Sequence, residues 1–399
     1  MAPNVAAMLA TFLALGMGEE LWVRFVPKYL EALGAGAAGI AVYGALRDLL
    51  DAVYPYPGGW LADRSGRRFA LTACALVAVA GYLICLFAPS WPWVLAGTVF
   101  AMAWSSLTLP AIFAVIGDHL PPGSRATGFG VQAILKRLPI LVAPPVGGYL
   151  IARLGIAFGV RAGIAATVVL ALGGVLFLRR FFVEAARPAP DLHRLRALWR
   201  DMAPGLKRLL VADCLARWAE GIPKVFIVLW VIDVLGATSA RFGALTSLQM
   251  ITSTLAYLPL ARLADRLERK PFVLATFAFF ALFPVALVGL PGALGLAAAF
   301  VVGGLREVGE PARKALILDL APAGARGRAV GLYYLIRGLV VFPAPLAGGW
   351  LWSLDRRWPF WAAGAVGAVG FLFHARWGPA GAPQLTEQSA EQPAERSAS

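Results

Sequence analysis

Charged side chains interrupt several long apolar stretches of this sequence, where each charge is costly and needs a reason. An acid in such a place can bind and release a proton, because burial favours the neutral form and a nearby arginine favours the ion. A lysine or arginine there can bind an anion. The candidate substrate or coupling residues are Glu19, Glu20, Arg24, Asp48, Lys136, Glu220, Arg306, Glu307, Glu310 and Arg337.

The same charges can instead form salt bridges that hold helices together. Arg24 follows Glu20 by four residues and Arg217 follows Asp213 by four, the spacing at which side chains meet on one helix face. If all of these charges are structural, the binding site must be formed by uncharged residues. Candidates for that site are Ser105, Ser106, Gln132 and Gln249.

Lys136 and Arg337 differ from the other charges, because neither has an acid one helical turn away in its own stretch. We therefore expect each of them to meet an anion or an acid on another helix. They also occupy equivalent positions in an internal repeat, described below.

The cysteines and histidines are not arranged as an enzyme site or a metal site. The chain has three of each, and they are scattered along the sequence: Cys74, Cys85, Cys214, His119, His193 and His374. Because there is no nucleophile with a base and no ligand cluster, we expect no enzymatic activity, no metal and no cofactor.

The elements that carry the charges are predicted to be transmembrane helices. Of the 399 residues, 59% are hydrophobic and only 15% are charged, and the mean hydropathy is +0.72. The long, continuous apolar runs favour helices over the alternating strands of a membrane barrel. We predict an all-α integral membrane protein with about twelve spans of roughly 20 residues each. The spans are centred near Ala10, Tyr43, Val79, Phe100, Val142, Val168, Ile227, Ser253, Phe279, Val301, Val340 and Ala365.

The positive charge predicts the orientation in the membrane. Lys and Arg number 36 against 22 Asp and Glu, which gives a net charge of +14. Such a balance also occurs in nucleic-acid-binding proteins, but here the basic residues collect in loops on one side of the predicted spans. By the positive-inside rule, both termini are cytoplasmic in a multi-pass protein of the cell membrane, and no nucleic-acid partner is expected. Basic loop residues include Arg64, Arg125, Arg179, Arg266 and Arg326; Arg356 and Arg357 are exceptions on the other side.

An internal repeat relates the two halves of the chain. Residues 59–68 (GWLADRSGRR) reappear in altered form at 261–270 (ARLADRLERK), at an offset of 202 residues. At an offset of 201, Lys136 matches Arg337. This repeat predicts two parallel six-helix bundles related by a pseudo-twofold axis along the membrane normal.

The repeat also gives the predicted domain boundaries. Residues 1–178 form the N-terminal bundle, 179–207 a cytoplasmic linker with an amphipathic helix, 208–377 the C-terminal bundle, and 378–399 a disordered cytoplasmic tail. A solvated basic linker is an equally good interpretation of 179–207.

Together these features resemble the major facilitator superfamily of secondary transporters over residues 5–377. Residues 59–68 match its G-x-L-A-D-R-x-G-R-R signature, and residues 143–148 (APPVGG) approximate its antiporter-type G-P-x-x-G-G signature. A third signature, an arginine followed by a glycine in span 4, is absent, while Arg306 and Gly309 occur in span 10. The resemblance implies that spans 1, 4, 7 and 10 line a central cavity and that spans 3, 6, 9 and 12 are peripheral.

The resemblance further implies a conformational latch in the loop after span 2. Glycines permit a tight turn there, and arginines can bind carboxylates, helix ends or lipid phosphates. The loop arginines are also interpretable as simple positive-inside anchors. The candidate latch residues are Gly59, Asp63, Arg64, Gly66, Arg67 and, as a partner for the arginines, Asp118.

As a function, the resemblance implies a secondary transporter that moves a small molecule by alternating access. The antiporter-type signature favours proton-coupled export of small amphipathic compounds, with protons and membrane lipids as partners and a monomeric chain. Lys136 and Arg337 favour the alternative, a proton-coupled transporter of an anionic metabolite. A membrane sensor or scaffold is less favoured, because neither terminus adds a soluble domain.

Overall fold

Helices form nearly all of the described part of the chain. The computed structural model describes residues 3–108, 122–181, 199, 202–321 and 326–379. Within these ranges it contains no β-strand, so the predicted all-α class is confirmed. Asp118, most of the predicted linker and most of the predicted tail lie outside the described residues.

Two compact units divide the chain. The first comprises Met1–His193, Lys224–Ser247 and Phe342–Arg356. The second comprises Arg194–Pro223, Leu248–Val341 and Arg357–Ser399. The bundle boundaries drawn from the sequence repeat stay a prediction.

The helices of the first unit are α1 (Pro3–Glu20), α2 (Val26–Ala32), α3 (Ala37–Val53), α4 (Pro55–Ser65), α5 (Arg67–Leu86), α6 (Trp91–Met102), α7 (Pro122–Leu154), α8 (Ile156–Phe181), α10 (Ile227–Leu229) and α16 (Ala344–Leu354). Those of the second unit are α9 (Pro204–Gly221), α12 (Lys270–Gly289), α13 (Gly292–Leu305), α14 (Glu310–Asp319), α15 (Arg326–Val341) and α17 (Trp358–Trp377). Helix α11 (Ser239–Arg266) begins in the first unit and continues in the second. Wide π-helical turns occupy Ala103–Leu107 and Trp230–Val234.

Several predicted spans are built from two shorter helices rather than one, and a proline lies at each break. Proline lacks the backbone N–H that a continuous helix needs and crowds the preceding turn. The breaks fall between α1 and α2, α3 and α4, α9 and α10, α13 and α14, and α15 and α16. The prolines at these breaks are Pro27, Pro55, Pro223, Pro311 and Pro343.

Every predicted span centre lies in a helix. Six described segments are long and apolar enough to cross a membrane: Arg67–Leu86, Ile156–Phe181, Lys270–Gly289, Gly292–Asp319, Ala329–Leu354 and Trp358–Trp377. Helices such as α9 do not meet that criterion, because charged residues interrupt their apolar face. One of the charges in α9 is Glu220, which the sequence singled out as a functional candidate.

Glycine allows the closest helix contacts and the sharpest turns. A Cβ on Gly18 would lie 2.8 Å from Cα of Thr167, so α1 and α8 approach too closely for any larger residue. Gly66 joins α4 to α5 with φ of 93°, a conformation that other residues rarely adopt. In the second unit, α17 packs against both α9 and α12, and α12 packs against α13.

Candidate functional site

Asp213 is the centre of a buried charge network in the second unit. Its Oδ2 atom accepts bonds from Arg313 Nη1 at 2.5 Å, from the Tyr333 hydroxyl at 3.0 Å and from Arg337 Nη1 at 3.2 Å. The Asp213 and Arg313 side chains are only 1% and 2% exposed. Arg337 is therefore bonded to an acid on another helix, one of the two partners that the sequence left open.

Arg217 extends the network from α9 towards a cavity. Its guanidinium pairs with Glu310, bonds Glu220 Oε2 at 2.7 Å and lies over the Phe280 ring at 5.0 Å. Arg313 also bonds Glu310, at 2.7 Å. Each buried charge of this group thus faces an opposite charge, which offsets the cost of removing it from water.

The cavity beside this network encloses about 340 Å³, part of it open to the exterior. The lining residues are Arg217, Glu220, Gln249, Met250, Ser253, Phe280, Gly303, Gly304, Arg306, Glu307 and Glu310. The cavity therefore brings together four of the charged candidates named from the sequence and the uncharged candidate Gln249. It combines aromatic and apolar surface with both signs of charge.

Arg306 lies between two aromatic rings in the cavity wall. Its guanidinium is 5.3 Å from the Phe280 ring and 4.5 Å from the Phe283 ring. Its Nε donates to the carbonyl oxygen of Gly303 at 2.9 Å, and Nη1 lies 3.5 Å from Glu220. A guanidinium has five donor hydrogens, so these contacts leave it able to bond a ligand as well.

Glu19, in the first unit, lies in the last turn of α1. It accepts a hydrogen bond from the Tyr82 hydroxyl of α5. Among the described residues, no lysine or arginine forms an ion pair with it. Glu19 therefore differs from the cation-paired acids described here, because its bonded partner is a neutral group.

Glu20 and Lys136 are two further candidates from the sequence, and their surroundings differ. Glu20 pairs with Arg24 at 2.7 Å, one turn further along the chain. Lys136 lies on α7 with an exposed side chain, and no described residue forms an ion pair with it. The salt-bridge interpretation thus fits the Glu20 contact, whereas the described residues include no ion-pair partner for Lys136.

Two further ion pairs in the first unit join residues from opposite halves of the sequence. Asp48 pairs with Lys224 at 2.6 Å. Lys28 pairs with both Glu31 and Asp233. Asp233 lies 202 residues after Glu31, the offset of the repeat, so one lysine binds two repeat-related acids.

The described part of the predicted latch is a tight turn with arginines around it. Gly66 makes the turn, Arg64 lies 5.1 Å from the Trp60 ring, and Arg67 is buried. Arg68 donates to the carbonyl oxygen of Arg179. The Asp63 side chain and Asp118 lie outside the described residues, and the Gly59 role stays a prediction.

Sequence reasoning missed the aromatic partners of these charges. Phe280 and Phe283 lie on α12, and Tyr82 lies on α5. These helices correspond to spans 9 and 3, which the family resemblance implied to be peripheral. The only sequence signal of these aromatic partners was an aromatic residue within an uncharged apolar run.

Comparison with known proteins identifies the family. A model of the Major Facilitator Superfamily matches residues 5–212 and 209–399. The chain belongs to this superfamily. It is therefore a membrane transporter of that family, as the resemblance implied.

Curated relatives cover most of the chain at low identity. An uncharacterised MFS-type transporter of Methanocaldococcus jannaschii is 22% identical over 382 residues, which is 90% of this chain and 91% of the relative. The multidrug resistance protein MdtH of Shigella boydii is 26% identical, covering 86% of each chain. MdtH of Aeromonas hydrophila is 25% identical, covering 86% of this chain and 87% of the relative.

Solved structures show the fold. A POT family transporter in complex with 5-aminolevulinic acid matches 94% of this chain and 96% of its own, with a TM-score of 0.75 and 14% identity. A D-xylose-proton symporter matches 94% and 98%, with a TM-score of 0.73 and 15% identity. The predicted superfamily fold is therefore confirmed.

Proposed function

We propose that this transporter exports small amphipathic compounds in exchange for protons. The proposal is supported by the similarity to proteins named multidrug resistance protein MdtH over 86% of the chain. It is also supported by the approximate antiporter-type signature at residues 143–148.

The observation that carries the proposal is the composition of the cavity wall. Phe280 and Met250 offer apolar contact to a ring or chain, while Glu220, Glu307 and Arg306 offer both signs of charge. A site of this kind suits a compound with an apolar body and a polar or charged end. Met adapts its shape to different ligands, which suits a cargo range rather than a single cargo.

Glu19 is the proton carrier in this proposal. A transported proton needs an acid that exists in both charge states during the cycle, and a bonded arginine would hold the acid ionised. Glu20, Asp48, Glu220 and Glu310 each have a cation close by. The Tyr82 hydroxyl can instead donate to the ion and accept from the neutral acid.

An anionic metabolite is the second candidate cargo, and Arg306 is the observation that favours it. Its planar face lies on Phe280 and Phe283, and the remaining donors can bind a carboxylate with two hydrogen bonds. Lys136, the exposed lysine of α7, is a cation of the first unit that also favours an anionic cargo. Arg337 supports this candidate less, because its guanidinium is already bonded to Asp213.

The orientation and assembly are proposed with the function. We infer that both termini lie in the cytoplasm of a cell-membrane protein, because basic residues collect on one side of the spans. A monomeric chain is part of the same proposal. A reporter fused after Trp377 that was active only outside the cytoplasm would contradict this orientation.

Inside-out membrane vesicles test the transport proposal. With an acidic lumen, they should accumulate an amphipathic fluorescent cation such as ethidium, and a protonophore should abolish the accumulation. Glu19→Gln should remove gradient-driven uptake but retain ethidium binding, because an amide resembles the protonated acid but carries no proton. Glu268→Gln, at an exposed acid in the hairpin between α11 and α12, is the matched control.

Benzoate in place of ethidium distinguishes the two cargo classes. Gradient-driven benzoate uptake without ethidium uptake would favour the anionic metabolite. Gradient-independent movement of both compounds would contradict proton coupling.

A further inference from the structure

Tyr82 is a fully buried phenol whose hydroxyl meets an acid. It lies on α5, its side chain is 0% exposed, and its hydroxyl donates to Oε1 of Glu19. Buried tyrosine hydroxyls almost always have a hydrogen-bond partner, and most such partners are backbone carbonyls or water. Here α5, a helix without an acidic residue, supplies the polar group that contacts Glu19.

The position of Glu19 at a helix end disfavours a fixed negative charge. Helix α1 ends at Glu20, and no basic residue lies in its last turn. The backbone carbonyls at that end present partial negative charge, and Glu20 adds a neighbouring carboxylate. Since Arg24 pairs with Glu20, the cation nearest in sequence is already used.

The other charged groups facing Glu19 come from α3. They are Arg47 and Asp51, which have opposite charges. Arg47 bonds the Tyr43 hydroxyl at 3.3 Å, and Asp51 accepts a hydrogen bond from Ser106 at 2.6 Å. Neither α3 residue forms an ion pair with Glu19, so the Tyr82 hydroxyl is the group in direct contact with the carboxylate.

The contact is held in place by packing around it. The Trp22 ring meets the Tyr82 ring edge-on, with centroids 6.1 Å apart. Trp22 Nε1 donates to Thr167 Oγ1 at 3.0 Å, and Gly18 packs on the same threonine. Trp22 therefore connects Tyr82 to Thr167, the residue on which α1 and α8 pack.

We propose that Tyr82 is a positioning residue that sets the pH at which Glu19 takes up and releases its proton. The inference rests on the proposed role of Glu19 in coupling. While Glu19 is ionised, the phenol donates to it and stabilises the ion. When Glu19 takes a proton from the aqueous phase, the acid donates and the phenol oxygen accepts, and Tyr82 keeps its own proton throughout.

Tyr82→Phe tests this role because it removes one hydroxyl and keeps the ring. The carbonyl band of protonated Glu19 can be followed by infrared difference spectroscopy in nanodiscs, with Glu19→Gln as the reference. Loss of a hydrogen bond to the ion should move the titration midpoint upward by about one pH unit or more. The pH profile of gradient-driven transport should move the same way.

Tyr54→Phe is the matched control. The Tyr54 hydroxyl also belongs to the first unit, but it donates to the Val99 carbonyl oxygen at 2.7 Å and bonds no acid among the described residues. The titration midpoint should therefore stay at the wild-type value. The double variant Glu19→Gln with Tyr82→Phe should transport no differently from Glu19→Gln alone.

The outcomes separate the two proposals. A wild-type midpoint in Tyr82→Phe overturns the role of Tyr82 even if Glu19 carries the proton. Gradient-driven transport that survives Glu19→Gln overturns the coupling role, and the Tyr82 role with it. If Tyr82→Phe does not fold, Glu19→Asp is the alternative variant, because it withdraws the carboxylate from the Tyr82 hydroxyl by one methylene. The titration midpoint of the acid should then move upward as in Tyr82→Phe. An unchanged midpoint in Glu19→Asp would overturn the inference.

Discussion

Lys224 and Asp48 form an ion pair at 2.6 Å although 176 residues separate them in the sequence. Together with Lys28 and Asp233, they join segments from the two halves of the repeat within one compact unit. Lys224 is 49% exposed, so the attraction between these charges is screened by water. Such a pair can form and break during a transport cycle at small cost.

Charge reversal at this pair should slow transport, and a charge swap should restore it. Asp48→Lys places two cations together, whereas Asp48→Lys combined with Lys224→Asp recreates the attraction with opposite polarity. We expect the double variant to recover at least half of the wild-type uptake rate in vesicles at matched expression. A double variant as slow as the single one would contradict a role for the attraction between these two charges.

Arg313→Gln should destabilise the protein strongly. Arg313 is 2% exposed and bonds both Asp213 and Glu310, so its loss leaves buried carboxylates without their main partner. Removing one partner of a buried pair costs about 3–5 kcal/mol. Lys314→Gln, at the exposed next residue of α14, is the control for thermal unfolding in detergent. Equal melting temperatures for the two variants would contradict the network.

Phe280→Leu should weaken cargo binding more than Phe279→Leu. Phe280 lines the cavity and supports both Arg217 and Arg306, whereas Phe279 is its neighbour on α12 and does not line the cavity. An aromatic contact contributes about 0.5–1.5 kcal/mol, so its loss should reduce the affinity for ethidium about threefold to tenfold. Fluorescence titration of the purified protein with ethidium measures this affinity. Similar affinities in both variants would place the cargo elsewhere.

Gly66→Ala and Gly173→Ala should have opposite effects on stability. Gly66 has φ of 93° and ψ of 157°, and a side chain there costs about 1–3 kcal/mol. Gly173 lies inside α8, and a Cβ added to it would have no atom from another part of the described chain within 4 Å. Alanine should therefore stabilise that helix by about 0.5–1 kcal/mol. The melting temperature in detergent should fall for Gly66→Ala and rise for Gly173→Ala. A higher melting temperature for Gly66→Ala would contradict the turn geometry.

The helices, and several cavity residues, could be predicted from sequence because their signals are local. Apolar run length located the spans, and the high cost of intramembrane charge singled out Glu220, Arg306 and Glu307 before their positions were known. The contact of Tyr82 with Glu19 could not be predicted, because 63 residues separate them and no periodicity records which helices pack together. The prolines at the helix breaks are visible in the sequence. The breaks themselves were not predicted, because the hydropathy used to locate the spans does not record which residues lack a backbone N–H.

The two π-helical turns have a consequence for the direction of two polar side chains. Each wide turn holds about one residue more than an α-helical turn, so side chains within it point in directions that an uninterrupted α-helix would not give them. Ser106, which bonds Asp51, and Asp233, which pairs with Lys28, both lie inside such turns. We therefore expect that deleting a single residue from Trp230–Val234 would turn Asp233 away from Lys28, because the extra residue of the wide turn sets the direction of the carboxylate.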